Sequence, residues 1–81
     1  MRIDKFLNTT NILKRRALAQ DMCESGVVLL NGIPAKSAKE VKVGDEITLR
    51  YLEYEKKYLV LAIPTSKNVP KSQSSKYFQI L

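Results

Sequence analysis

The sequence predicts an α+β domain in which two packed N-terminal helices lie against a small, mostly antiparallel β-sheet, with a C-terminal tail. Three observations carry this. Apolar residues recur at helical spacing near the N-terminus, at Ile3, Phe6 and Leu7 and again at Ala19, Met22 and Cys23. After Gly26 the period changes to short β-branched and leucine runs, punctuated by the hairpin signal Asn31-Gly32. Finally, 81 residues hold one small domain, which buries only about 60% of the surface of its unfolded chain and leaves little spare stability for a deep catalytic pocket.

Taken in order, Ile3, Phe6 and Leu7 share one face of a short first helix, with Asp4 placed to cap its first turn or to sit near its positive end. Asn8-Thr9-Thr10-Asn11 reads as a turn, because these side chains compete with the backbone for hydrogen bonds. A second helix is expected over about Arg15 to Ser25, ended by Gly26 in the left-handed conformation. The first helix is too short to persist unless it packs on the second. Val27 to Leu30 form a strand and Asn31-Gly32 turns the chain. Ile33 to Ala35 begin the return, where Pro34 lacks a ladder donor and implies an edge or a very short pairing. A lysine-rich loop, Lys36 to Lys42, leads through Val43-Gly44-Asp45 to a strand from Glu46 to Tyr51, with Ile47, Leu49 and Tyr51 on one face. The charged stretch Glu53 to Lys57 precedes an apolar run from Tyr58 to Ile63, stopped by Pro64. Residues 65–76 have the composition of a linker. The expected organisation is therefore a domain over 1–64, a linker over 65–76 and an apolar segment over 77–81.

Fourteen Lys and Arg against eight Asp and Glu give a net charge of +6, an excess that draws a protein to polyanions. Nucleic acid leads that class and an anionic membrane surface follows, although the basic residues are not backed by a long apolar helix face. One cysteine cannot make an internal disulfide, and Arg2, Asp4 and Lys5 stand where a signal peptide would need an apolar run. A cytoplasmic location follows as the expectation. The chain has no histidine, no paired carboxylates and no Gly-rich phosphate loop, so no catalytic residue, cofactor or metal ligand is expected. Cys23 reads as a small core residue. Tyr51, Tyr54, Tyr58 and Tyr77 could stack on bases, but sheet packing is the simpler role.

The candidate site is basic. Lys14, Arg15 and Arg16 lie at the start of the second helix, where free backbone N–H groups and the helix dipole favour phosphate oxygens. An arginine can grip a phosphate with its planar fork. Arg2 and Lys5 belong to the neighbouring helix, and Lys36 and Lys39 to the loop after the hairpin, so all seven can border one face. Without other context a charge run at a helix start is usually a solvated face. Asp4 either serves as a simple cap or pairs with Arg2 or Arg16 to orient the arginine. Lys36 and Lys39 divide evenly between contact and solubility, and Lys67, Lys71 and Lys76 read as linker charges.

The phrases Arg2-Ile3-Asp4-Lys5-Phe6-Leu7, the basic start of the second helix with Ala19, Gly26-x-Val28-x-Leu30-Asn31-Gly32, and Val41-Lys42-Val43-Gly44-Asp45 stand in register from Met1 to Tyr51. Together they resemble the RNA-binding domain named after the fourth protein of the small ribosomal subunit, the S-four domain or αL motif. The chain is similar to the small stand-alone bacterial members, which include a heat-shock ribosome-associated type and a ribosome quality-control type. The resemblance implies non-catalytic binding of structured RNA: ribosomal RNA and adjoining tRNA on the large subunit, in rescue or quality control of stalled translation. It implies Arg2, Lys5, Lys14, Arg15, Arg16, Lys36 and Lys39 as the RNA-binding set, with Asp4 orienting. No DNA or membrane partner is expected, and a monomer is.

Two departures from the family pattern stand out. Arg15 occupies the position where the family commonly has a helix-capping Ser, which puts the start of the second helix in doubt. Val27 and Leu29 are both apolar on a strand face that is more usually polar, so something is expected to cover them. The candidate cover is the segment from Tyr77 to Leu81, folded back across the linker. The same residues offer a different class of function, an adaptor that binds another protein through Val27, Leu29 and the C-terminal segment.

Overall fold

A computed structural model describes all residues, 1–81. Helix α1 (Ile3–Thr9) and helix α2 (Arg16–Glu24) precede β1 (Val28–Leu30), β2 (Ile33–Pro34), β3 (Glu46–Arg50), β4 (Glu55–Val60), a 3₁₀ helix (Lys71–Lys76) and β5 (Phe78–Ile80). The strands form one antiparallel sheet in the order β2-β1-β3-β4-β5.

The register explains the core. Val28 faces Leu49 across β1 and β3; Leu30, Ile47, Tyr58 and Ile80 run in line across four strands; Val60 faces Phe78. One row of one sheet face is therefore apolar from β1 to β5, and Ile3, Phe6, Leu7, Ala19 and Cys23 of the two helices join its central residues in one core, while Ile80 on the outer strand stays exposed. Ile3, Phe6, Leu7, Val28 and Ile47 are fully buried. Each such side chain contributes about 1.5–3 kcal/mol, and that burial lets a first helix of seven residues persist.

Local turn chemistry behaves as its residues dictate. Asn31 (φ 52°) and Gly32 (φ 82°) both take the positive φ of a tight hairpin. Gly26 (φ 77°) ends α2. Pro34 lies in the two-residue edge strand, where its missing N–H disrupts nothing.

Several boundaries differ from the sequence reading. Helix α1 continues through Asn8 and Thr9 because the Asn8 amide bonds forward, donating to the Leu13 and Lys14 carbonyls at 3.2 and 3.1 Å, and so does not compete with the helix. Strand β4 begins inside the charged stretch, at Glu55, and ends at Val60; its first half is exposed and held by pairing with β3, including Arg50 opposite Glu55. The segment 65–76 is not a bare linker, since Val69 and Ser74 are buried and Lys71–Lys76 form the 3₁₀ helix.

The chain end also sits elsewhere than over Val27 and Leu29. It adds β5 to the free edge of β4, with the Leu61 N–H donating to the Tyr77 carbonyl at 2.8 Å and the Leu81 N–H to the Lys57 carbonyl at 2.9 Å. Both edges of β1 are already taken, by β2 and β3. Leu29 is nonetheless only 4% exposed and Val27 is half-buried, so the strand part of the surface that the adaptor reading needs is largely closed, while Ile80 and Leu81 of the C-terminal segment remain exposed. Of the tyrosines, Tyr51 and Tyr54 stack on each other at 4.8 Å, and Tyr58 meets Phe78 edge-on at 5.4 Å.

Candidate nucleic-acid interface

Asp4 organises the helical face. It lies in the first turn of α1, where the dipole favours an anion, but Arg2 and not Asp4 is the N-cap residue. Its side chain is wholly buried, a costly place for a carboxylate unless it is paired and hydrogen-bonded. It is both. The Lys5 backbone N–H donates to Oδ1 at 2.7 Å, and Gln20 Nε2 donates to Oδ2 at 3.0 Å. Arg16 Nε reaches Oδ2 at 3.3 Å, while Arg2 grips both oxygens, Nε to Oδ1 at 3.2 Å and Nη2 to Oδ2 at 3.3 Å. Burial alone would push the Asp4 carboxyl up. The bonds from Gln20, the Lys5 N–H and Arg16, with the Arg16 charge, outweigh it and hold the pKa below its usual value.

The geometry leaves each arginine with a free end. Arg16 meets Asp4 through Nε alone, so its terminal nitrogens make no bond within the chain, and its side chain is 42% exposed; that of Arg2 is 47% exposed. A guanidinium fixed on one side and open on the other is pre-organised for a phosphate oxygen. Gln20, one turn beyond Arg16, completes the tie between the helices. Nothing in its spacing set it apart from an ordinary surface glutamine.

The helix starts differ in a way that bears on anion binding. At α1 the loop after the hairpin consumes the free donors: the Ile3 N–H donates to the Lys39 carbonyl at 2.8 Å, and the Asp4 N–H to the Ser37 carbonyl at 3.4 Å. At α2 the N-cap is Arg15, in extended conformation and without a capping side chain, and the N–H groups of Arg16, Ala17 and Leu18 find no acceptor in the chain. The missing capping Ser thus leaves an uncapped, exposed helix start ringed by Lys14, Arg15 and Arg16.

Of the seven basic residues singled out from the sequence, Arg2 and Arg16 are brought together directly, through Asp4. Lys39 is joined to the start of α1 by its carbonyl, while Lys5, on α1 itself, is half-buried. Arg15 is exposed beside Arg16. Lys14 does not touch Asp4 and instead lines a cleft of about 320 Å³ with Thr10, Asn11, Lys71, Ser74 and Phe78. Lys36 is not part of the Asp4 group; it lines clefts beside the β1–β2 hairpin with Pro34 and Ala35. Cys23 is buried, and burial followed by the nearby Asp4 charge pushes its thiol up to about 11, so it stays protonated at neutral pH. No three His, Cys, Asp or Glu side chains gather as a metal site, and no helix is long and apolar enough to cross a membrane.

The family model of the S4 domain matches residues 1–47. A curated relative from Helicobacter pylori strain J99, the RQC P-site tRNA stabilizing factor, is 54% identical over 77 residues, 95% of this chain and 92% of the relative. A solution structure of a hypothetical protein, HP1423, superposes with a TM-score of 0.86 at 51% identity, covering 100% of this chain and 96% of the other. The trimeric structure of Vibrio cholerae heat shock protein 15 superposes with a TM-score of 0.89 at 32% identity, covering 100% of this chain and 81% of the other. The chain belongs to the S4 domain family.

Proposed function

We propose that this S4 domain protein binds structured RNA in ribosome quality control, holding P-site tRNA and adjoining ribosomal RNA on the large subunit without catalysing a reaction. The observation that carries the reading is the buried Asp4, which fixes Arg2 and Arg16 at the starts of two different helices and leaves Nη1 of Arg2 and both terminal nitrogens of Arg16 free. The name of the Helicobacter relative supports tRNA as a ligand. Arg2, Lys5, Lys14, Arg15 and Arg16 supply the capture of phosphates, and Lys36 and Lys39 assist from the hairpin side. Because a rigid basic face reads shape and phosphates, it suits folded RNA, whose deep major groove excludes side chains. The protein acts as a cytoplasmic monomer, with 1–64 as the main RNA-binding domain.

Filter binding of tRNA and large-subunit ribosomal RNA across a salt series tests this. Arg15→Glu reverses a charge that holds nothing else in place. At Arg16 reversal would set a second carboxylate against buried Asp4, so Arg16→Ala is the informative change. Each variant is expected to weaken binding and to lower the slope of log affinity against log salt by about 0.7–0.9 per lost phosphate contact. Wild-type slopes in both variants would remove the interface from this face.

A further inference from the structure

The cleft beside Lys14 lies outside the Asp4 group, and half of it comes from beyond the residues matched to the S4 domain. Asn11 builds it. At φ 67° it takes the left-handed conformation that asparagine tolerates better than most residues. Its side-chain amide then donates to the Val69 carbonyl and to Ser74 Oγ, both at 2.8 Å. These bonds clip the 3₁₀ helix against the α1–α2 connection and set Lys71 and Lys14 on the walls of one cleft. Phe78, held edge-on by Tyr58, supplies an apolar wall.

The lining is chemically one-sided. Every ion pair of the molecule involves Glu40, Asp4 or Glu55, so neither Lys14 nor Lys71 has an acidic partner, and no carboxylate lines the cleft. Ser74 is buried and its Oγ accepts from Asn11, so its own proton remains to donate, and no acceptor for it exists in the chain. Two unpaired ammonium groups and a spare hydroxyl donor around a small cleft fit an anion with several acceptor oxygens. The cleft volume, about 320 Å³, is at the small end of the roughly 300–1,000 Å³ typical of ligand sites. It suits one backbone phosphate with its sugar better than a whole folded ligand.

We propose that Lys14 and Lys71, with Ser74, hold a backbone phosphate of the bound RNA, so that the C-terminal segment supplies a second anchor apart from the Arg2–Arg16 face. This rests on the RNA-binding reading above and extends it to residues beyond the family domain. Lys14 and Arg16, two positions apart, then serve different anchors, and the RNA is held at two points across the start of α2.

The test uses the full chain with an in vitro transcribed tRNA and purified large-subunit ribosomal RNA, comparing Lys71→Met, Lys71→Arg and Arg16→Ala. Lys71→Met keeps the aliphatic stem, and Lys71 is exposed, so the fold is expected to persist, with an unchanged thermal midpoint. The expected result is a loss of about fivefold in affinity and of about 0.7–0.9 in salt slope for Lys71→Met, with recovery in Lys71→Arg. If Lys71→Met matches wild type while Arg16→Ala is weakened, the second anchor is wrong and the RNA-binding reading stands. If wild type retains neither RNA, both fall. If Lys71→Met loses only ribosome co-sedimentation and keeps wild-type binding to both free RNAs, the cleft faces a protein and the proposal is overturned.

Discussion

The molecule contains two arginine–carboxylate clusters, and the shorter contact is the weaker one energetically. Arg50 Nε meets Glu55 Oε2 at 2.7 Å, directly across the β3–β4 pair, whereas Arg2 and Arg16 stand 3.2 and 3.3 Å from Asp4. Yet Arg50 and Glu55 are 56% and 43% exposed, while Asp4 is 0% exposed. Water screens the first pair and would replace it at little cost, which is why exposed pairs contribute only about 0.2–1 kcal/mol. Removing a partner from a buried charge is far more damaging. Contact length is therefore a poor guide here, and burial decides.

The sharpest break of this comparison is at Asp4. Asp4→Ala is expected to cost about 2–4 kcal/mol in urea denaturation, because the Lys5 N–H, Gln20, Arg2 and Arg16 all lose an acceptor. It should also weaken RNA binding by releasing both arginines. A cost under about 1 kcal/mol would place the two clusters in one energetic class. The charge itself is read by Asp4→Asn compared with wild type across pH. The folded-state pKa of Asp4 is lowered, so its contribution is fully present above the unfolded value of about 3.9 and disappears as pH falls through the folded value. The stability gap between Asp4→Asn and wild type should therefore be constant near neutrality and close at acid pH. A gap that widens on acidification contradicts the sign.

Next in size is truncation after Ser75, which tests what holds the strand half together if its ion pair does not. Losing β5 removes the backbone ladder on β4 and the Phe78 contact with Tyr58. About 2 kcal/mol is expected, or roughly 10 °C in a domain of this size. Amide shifts should change at Tyr58 to Val60 and remain still at Val28 to Leu30; the reverse pattern would move the docking site. Smallest is Arg50→Ala, with about 0.5 kcal/mol expected and that fading at high salt. A loss above about 2 kcal/mol would mean that exposure does not discount this pair.

How much was legible beforehand varies with the range of the interaction. The helix face at Ile3, Phe6 and Leu7, the end of α2 at Gly26 and the Asn31-Gly32 hairpin are local, and each follows from spacing or from φ preference within a few residues. The basic residues were legible as a set but not as a grouping. Nothing within reach of Lys36 in the sequence says that it lies by the hairpin clefts while Arg2 and Arg16 share a carboxylate. Lys71 read as a linker charge because its partner in the cleft, Lys14, lies far away along the chain.

The tail shows most clearly where the sequence stops and the tertiary structure takes over. The composition of Tyr77 to Leu81 predicts that these residues seek burial, since an exposed cluster of that kind is costly in water, yet only Tyr77 and Phe78 become half-buried while Ile80 and Leu81 stay exposed. Where they go depends on which sheet edge is left open. Strand β1 is flanked by β2 through the Asn31-Gly32 turn and by β3 on its other side, which leaves the outer sides of β2 and β4 open, and the tail pairs with β4. The sequence by itself thus determined the helices, the tight hairpin and the basic character of the surface, because those depend on local geometry and net charge. The burial of Asp4 between two arginines, the edge taken by β5 and the placement of Lys14 and Lys71 on one cleft depend on which distant segments exclude water from one another, and only the folded chain decides that.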